Sequence, residues 1–253
     1  MKTMRVLSID WDYFQRVSVD TMRDCYPDGL DVSTWLSEIT WGNHYATDGD
    51  RINQIGLMNS EYETLISILL RQDKSCPVMI ANSHVNAYGF ILKHLADDEK
   101  ISLTNVDMHH DLINDNENVD CGNWIGKLIA EGRIGCMRDN LKWIHNPVSF
   151  SMYDIDPADG TEFGKLLARL DGGDTLQNIK NEKYDLIFLA RSDTWSPPHL
   201  DDRFNLLVNI MREHFLNINV ENDVKNPRRA YLQYAVVMQN AYKGIGNKVG
   251  EPA

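Results

Sequence analysis

The sequence predicts an α/β protein of three layers (αβα), with helices covering both faces of a central, mostly parallel sheet. Short apolar runs alternate along the chain with segments of helical periodicity. That is the pattern of βαβ units whose strands are buried on both sides. The strongest runs stop at polar residues, as strands do where they leave a sheet. At 253 residues and without an internal repeat, residues 1–253 fit one domain.

Strands are read at residues 5–10, 77–81, 101–107 and 184–190, with a weaker one at 148–153. Apolar residues at three- and four-residue spacing mark crossover helices over 62–70, 87–95, 163–170 and 204–215. Residues 15–60 carry Pro27, Gly29, Gly42 and Gly49 without strong periodicity, and read as an irregular excursion on the substrate side of the domain. The tail, 243–253, is expected to fray.

Hydrophobic residues make up 43% and charged residues 25%, the balance of a globular chain. A net charge of −12 disfavours nucleic acid as a partner and suits metal ions or a cationic substrate, although much of it is surface solvation. No apolar run is long enough for a membrane span, and the start turns polar at Asp10 before a signal-peptide core forms, so a cytoplasmic protein with no membrane partner is expected. The four cysteines, Cys25, Cys76, Cys121 and Cys136, form no CxxC pair and read as free thiols. A homo-oligomer is compatible with the sequence.

Ligands bind open parallel sheets beyond the carboxyl ends of the strands. Three strand ends carry metal-ligand residue types there: Asp10 and Asp12, then His84, then Asp107, His109 and Asp111. The i, i+2 spacing places alternate residues on one side of an extended chain, where they converge. Carboxylates with imidazoles suit Mn²⁺, Fe²⁺ or Zn²⁺, and this many ligands is more than one ion with open positions requires. Two ions would generate a nucleophile from water at neutral pH, so metal-assisted hydrolysis is expected. Singly, an Asp after a strand is more often a cap or turn former, and His84 a hydrogen-bonded structural histidine, than a metal ligand; three such ends together are much harder to explain that way.

These residues resemble the arginase and deacetylase superfamily of ureohydrolases. Asp107-Met-His-His-Asp111 is similar to its Asp-x-His-x-Asp motif, Ser8-Ile-Asp-Trp-Asp12 to its Ser-x-Asp-x-Asp motif, and His84 to its strand-end histidine. Here the Ser-x-Asp-x-Asp strand opens the chain instead of following the others, as in a circularly permuted arginase-like fold. With Asp120-Cys-Gly-Asn-Trp124 and Arg191-Ser-Asp-Thr-Trp195, that order resembles the arginase-like UPF0489 group, which includes peptide arginases.

The resemblance implies two Mn²⁺ ions. Asp107 and Asp10 would bridge them, His84 and Asp111 would complete one site, and His109 and Asp12 the other. It implies conversion of arginine side chains of a ribosomal precursor peptide to ornithine and urea, with Asp111 moving a proton. Ile125 stands where the arginase loop has its proton-shuttle histidine, so His110, His145, His199 or water would take that step. Asn123 and Trp124 fall where that loop touches the substrate's amino-acid head, and Trp124 there favours a peptide. Ser192 and Asp193 are candidates for gripping the guanidinium, or else for capping the turn before Pro197. A second pair, Asp154 and Asp156, competes with Asp10 and Asp12, but Ser151 lies one residue too far from it. The alternatives are a small-molecule ureohydrolase or deacetylase, and a non-catalytic peptide-binding protein on the same scaffold.

Overall fold

The computed structural model describes residues 3–26, 33–113, 117–152, 162–170 and 173–249. In chain order the strands are β1 (Thr3–Asp10), β2 (Gln15–Arg16), β3 (Gly56–Leu57), β4 (Val78–Ala81), β5 (Lys100–Asp107), β6 (Leu141–His145), β7 (Leu186–Ala190) and β8 (Ile218–Val220). β2 and β3 form a small antiparallel ribbon. The other six make one sheet in the order β6-β5-β1-β7-β4-β8, parallel at every pairing. The helices are α1 (Val19–Cys25), α2 (Thr34–Ile52), α3 (Asn59–Leu70), α4 (Asn86–His94), α5 (Trp124–Ala130), α6 (Met137–Asn140), α7 (Ser149–Met152), α8 (Glu162–Leu170), α9 (Asp201–His214) and α10 (Ala230–Val249).

Alternation along the strands divides the core. Leu7 and Ile9 of β1, with Ile187 and Leu189 of β7, face α3 and α9 through Leu65, Ile68, Phe204 and Leu207. Val6, with Leu186 and Phe188, faces α4, α5 and α8 through Ile91, Trp124, Leu128 and Leu167. These two layers complete the three-layer αβα arrangement. β7 is buried at all five positions, as expected of an apolar strand covered on both faces. Each buried leucine or isoleucine contributes about 1.5–3 kcal/mol. The chain runs from β1 to β4 on one side and then back to β5 on the other. The strand order therefore reverses around β1, which opens a crevice beyond the carboxyl ends.

Two regions depart most from the sequence expectation. The sheet edges are β8, which the sequence did not suggest, and β6, paired with β5 from Leu103↔Leu141 to Asp107↔His145, whereas residues 149–152 are helical. Leu141 and Trp143 pack on one face and Ile144 on the other, while Lys142 reaches Glu182 at 2.9 Å, so this edge strand reads as mixed polarity in the sequence. Residues 19–25 and 34–52 are helical rather than irregular. Met22 and Tyr26, with Trp41, Tyr45 and Ile52 of α2 and Tyr231 and Ala235 of α10, build a third apolar cluster together with Met108 and Leu200 at the strand ends. α10 runs to Val249, and residues 250–253 lie outside the described residues. No helix of the described residues is long and apolar enough to cross a membrane.

Gly42 is what lets α2 and α10 meet: a Cβ there would lie 2.4 Å from Tyr234 Cβ and 3.0 Å from the Tyr231 carbonyl oxygen. Gly42→Ala gains up to about 1 kcal/mol of helix propensity but forces the helices apart. Overpacking costs about 1–3 kcal/mol, so the net expectation is a lower melting temperature, readable by calorimetry.

Candidate metal centre

β1 ends at Asp10, whose carboxylate accepts the Asp12 N–H at 3.1 Å and so starts a 3₁₀ turn, Trp11–Phe14. The turn, not an extended chain, carries Asp12 to its position. β5 ends at Asp107, whose Oδ1 accepts the His109 N–H at 2.7 Å; this bend brings His109 round. Asp111 follows in the left-handed region with φ 54°. His84 comes three residues after β4, and its ring is stacked on Phe188 of β7 at a centroid distance of 5.8 Å and an interplanar angle of 7°.

The six side chains meet in two groups. His84 Nδ1 lies 2.9 Å from Asp107 Oδ2 and 3.2 Å from both Asp10 Oδ2 and Asp111 Oδ2. His109 Nδ1 lies 2.8 Å from Asp12 Oδ2 and 3.7 Å from Asp107 Oδ1. Asp107 thus presents one oxygen to each group. Asp10 falls in the first group alone; its other oxygen accepts the Asp12 N–H. The ligand-type atoms within each three-residue group, Asp10–His84–Asp107 and Asp12–Asp107–His109, all lie within 4.8 Å of one another.

Neighbouring groups fix this geometry. Ser8, on the same face of β1 as Asp10, bonds His84 Nε2 at 2.7 Å and leaves Nδ1 facing the carboxylates. Asn105, two residues before Asp107, donates to its Oδ2 at 3.2 Å, and the Met108 N–H donates to Asp12 Oδ1 at 3.2 Å. Trp124 Nε1 donates to Asp111 Oδ2 at 2.5 Å.

The donor set fits divalent cations. His84 Nδ1 and Asp12 Oδ2 are buried and make no well-oriented hydrogen bond; each faces only other ligand-type atoms, His84 Nδ1 the three carboxylates and Asp12 Oδ2 the His109 ring, which is costly unless an ion lies between them. Burial pushes Asp10 up to about 7 and Asp111 up to about 8, with the charge of Asp107 adding to both. Burial and Asp107 push Asp12 up to about 6. Burial opposes ionisation of Asp107 too, yet His109 and His84 hold it well below the usual carboxylate range. Oxygen-rich groups with one imidazole each suit Mn²⁺, Fe²⁺ or Zn²⁺.

The folded, metal-free chain therefore keeps carboxylate protons that the unfolded chain has lost. The stability that these carboxylates give the fold is expected to fall as pH rises from about 4 through about 8, and His84, raised above its ordinary value, adds the same sign; His110, pushed down to about 4 by burial, and His199, also lowered, oppose them in the acid part of that window. Cations compete with those protons, so metal affinity rises over that window. Melting at pH 5 and pH 8, with chelator and then with Mn²⁺, checks this: only the metal-free protein should melt lower at pH 8.

Above the two groups lies a cavity of about 330 Å³, with Asp10, His84, His109 and Asp111 among the residues that line it. α1 supplies Met22 and Arg23 to its wall, and Tyr26 joins them just past the helix end. Met152, Ile113, Cys121, Ser192 and Trp195 line it as well. Sequence reasoning placed Trp195 only as part of the strand-end segment 191–195 and Met22, Arg23 and Tyr26 only within the substrate-side region 15–60, because nothing in their spacing distinguishes them individually from core residues. Ser8 and Asn105 were readable by strand parity, each two residues before a ligand-type aspartate.

Several expected residues stand elsewhere. Asp193 does grip a guanidinium, but it is that of Arg191, at 2.5 and 3.0 Å, and Thr34 adds a bond at 2.6 Å. Its carboxylate is spent inside the protein. Asn123 is buried and bonds the Asp120 N–H and the Asn118 carbonyl, which closes the loop before α5. Trp124 is fully buried and holds Asp111 instead of a substrate. His110 accepts the Leu112 N–H at 3.0 Å and packs edge-on to Trp143, away from the cavity lining. His145 and His199 do not line the cavity either; His199 bonds Tyr45 and the Ile55 carbonyl. Ser192 does line it, in the left-handed region with φ 55°. Asp154 and Asp156 lie outside the described residues.

Trp124→Phe removes the donor to Asp111 while keeping a ring in the core. It is expected to weaken metal binding about 10–100-fold, the usual effect of losing a group that orients a ligand, as read by metal titration. A comparison with protein-family models, with curated proteins and with solved structures returns no match for this chain.

Proposed function

We propose that the chain is a two-metal hydrolase of the ureohydrolase type, dependent on manganese, that converts arginine side chains of a precursor peptide to ornithine with release of urea. The observation that carries this reading is Asp107, with one oxygen in each of two ligand groups on the wall of a side-chain-sized cavity. Two divalent ions held there would supply Lewis acidity and lower the pKa of water to near neutrality. Asp111 faces the cavity and is held by Trp124, so its carboxylate is positioned to take a proton from the attacking water and return it to the departing amine. Ser8 keeps His84 in one orientation throughout. The net change adds water across the guanidinium carbon, breaks its bond to the side-chain nitrogen and leaves urea and an ammonium.

A peptide substrate is favoured by the loop before α5. Asn123 and Trp124 spend their polar atoms within the protein, so neither meets the charged head of a free amino acid. A cavity of about 330 Å³ also suits a small guanidino or amide compound, which is the second reading. Incubating the Mn²⁺-loaded protein with an arginine peptide should lower the peptide mass by about 42 Da per converted arginine and release urea. Equal urea release from free arginine would overturn the peptide reading, and no product from either would overturn the reaction.

A further inference from the structure

The turn after β7 is fixed from three sides. The N–H groups of Trp195 and Ser196 both donate to the Ser192 carbonyl, at 2.9 and 2.8 Å. Arg228 donates to the carbonyls of Asp193 and Ser196, at 2.5 and 2.7 Å, and Gln15 donates to that of Trp195 at 2.8 Å. A turn so constrained presents chosen side chains, and those it presents to the cavity are Ser192 and Trp195. A non-glycine residue kept at φ 55° costs on the order of 1 kcal/mol or more and persists only where the surroundings impose it.

A guanidinium entering this cavity needs a partner for its charge. Among the described residues, the carboxylates that line the cavity are Asp10 and Asp111, both of which face His84 in the metal groups. Asp193, the next acid along the turn, is neutralised by Arg191. Besides Tyr26 and Arg23, whose guanidinium donates to the Ser151 carbonyl at 3.3 Å, what stands beside the metal groups is the Trp195 ring, 4.9 Å between centroids from the His109 ring. Tryptophan has the strongest π-face for a cation, and a planar guanidinium stacks on it without losing its in-plane donors.

We propose that Trp195 is the specificity-determining residue of the cavity, holding the delocalised cation of the substrate against its ring while the Ser192 hydroxyl accepts one of its N–H groups. This deepens the arginine reading above and rests on it. It also explains why a cation binder would have an apolar wall: Met22, Ile113 and Met152 cover the aliphatic stem while the planar head reaches Trp195.

The test compares binding by the full-length, Mn²⁺-loaded protein of an arginine peptide and of the same peptide carrying citrulline, which keeps the planar shape without the charge. Calorimetry should give the arginine peptide the tighter binding in the wild type. Trp195→Leu, apolar but without a π-face, should reduce that preference about tenfold and raise KM alike, by more than it lowers kcat and with two equivalents of manganese retained, and Trp195→Phe should recover part of it. An unchanged preference in Trp195→Leu, or a wild type that does not distinguish the two peptides, overturns the proposal even if the enzyme makes ornithine. A wild type that makes no ornithine yet shows a charge preference abolished by Trp195→Leu overturns the reaction and supports the cation site.

Discussion

Asp107→Asn is expected to abolish both cation sites at once. The carboxylate has one oxygen 2.9 Å from His84 and the other 3.7 Å from His109, so an amide puts a donor where one of the two ions would sit. Activity should fall by about a thousandfold or more, the scale of losing several kcal/mol of charge stabilisation. The folded protein need not suffer. Asp107 is among the charges that push up Asp10, Asp12 and Asp111, and removing it relieves that repulsion. Against this, His84 and His109 lose their ionised partner, so the metal-free melting temperatures of variant and wild type are the baseline for the comparison. Added Mn²⁺ should separate them: the wild type gains about 2.7 kcal/mol per ion at about a hundredfold excess over Kd, and the variant gains nothing. A variant stabilised by metal as well as the wild type would remove Asp107 from the centre.

Arg228→Met is expected to produce the largest loss of stability. Arg228 is almost completely buried and makes paired contacts with Asp201 at 2.8 and 3.0 Å, besides capping the carbonyls of Asp193 and Ser196. Burial opposes its charge, but Asp201 and Asp193 outweigh that and keep it protonated. Truncation leaves Asp201 buried without its main partner, a change that costs about 3–5 kcal/mol and lowers the melting temperature by roughly 10 °C for a chain of this size. Replacing Asp201 by leucine as well should recover much of the loss, since the exposed fault is the unpaired charge. A loss no larger in the single variant than in the double one would contradict this reading. The same clamp carries the turn that holds Ser192 and Trp195, so the single variant should also bind an arginine peptide less tightly.

The sheet was legible in the sequence wherever burial on both faces leaves an uninterrupted apolar run, as in Leu186–Ala190 and in the residues that lead to Asp10 and Asp107. It was not legible at the edge. Leu141–His145 alternates buried residues with Lys142 and has weight as a strand only through its pairing with β5. α2 was missed because its apolar residues follow its packing against α10, where glycine at 42 is a contact residue and not a breaker.

Within the centre, residue type and strand-end position brought out all six ligand-type side chains, since ligands of a parallel sheet come from its carboxyl edge. The roles around them were harder to read. Asp193 and Asn123 have the chemistry to meet a substrate, and only tertiary structure gives each an internal partner. Trp124 looked like a substrate contact and instead orients Asp111, because the helix it begins packs into the core beneath His84.

The most direct test of the account is the manganese stoichiometry of the wild-type chain, taken with its electron paramagnetic resonance spectrum. Two equivalents are expected to stay with each chain and to give the spectrum of an exchange-coupled pair, since Asp107 is shared by both groups. One equivalent or none, or two equivalents with the spectrum of isolated ions, would contradict it.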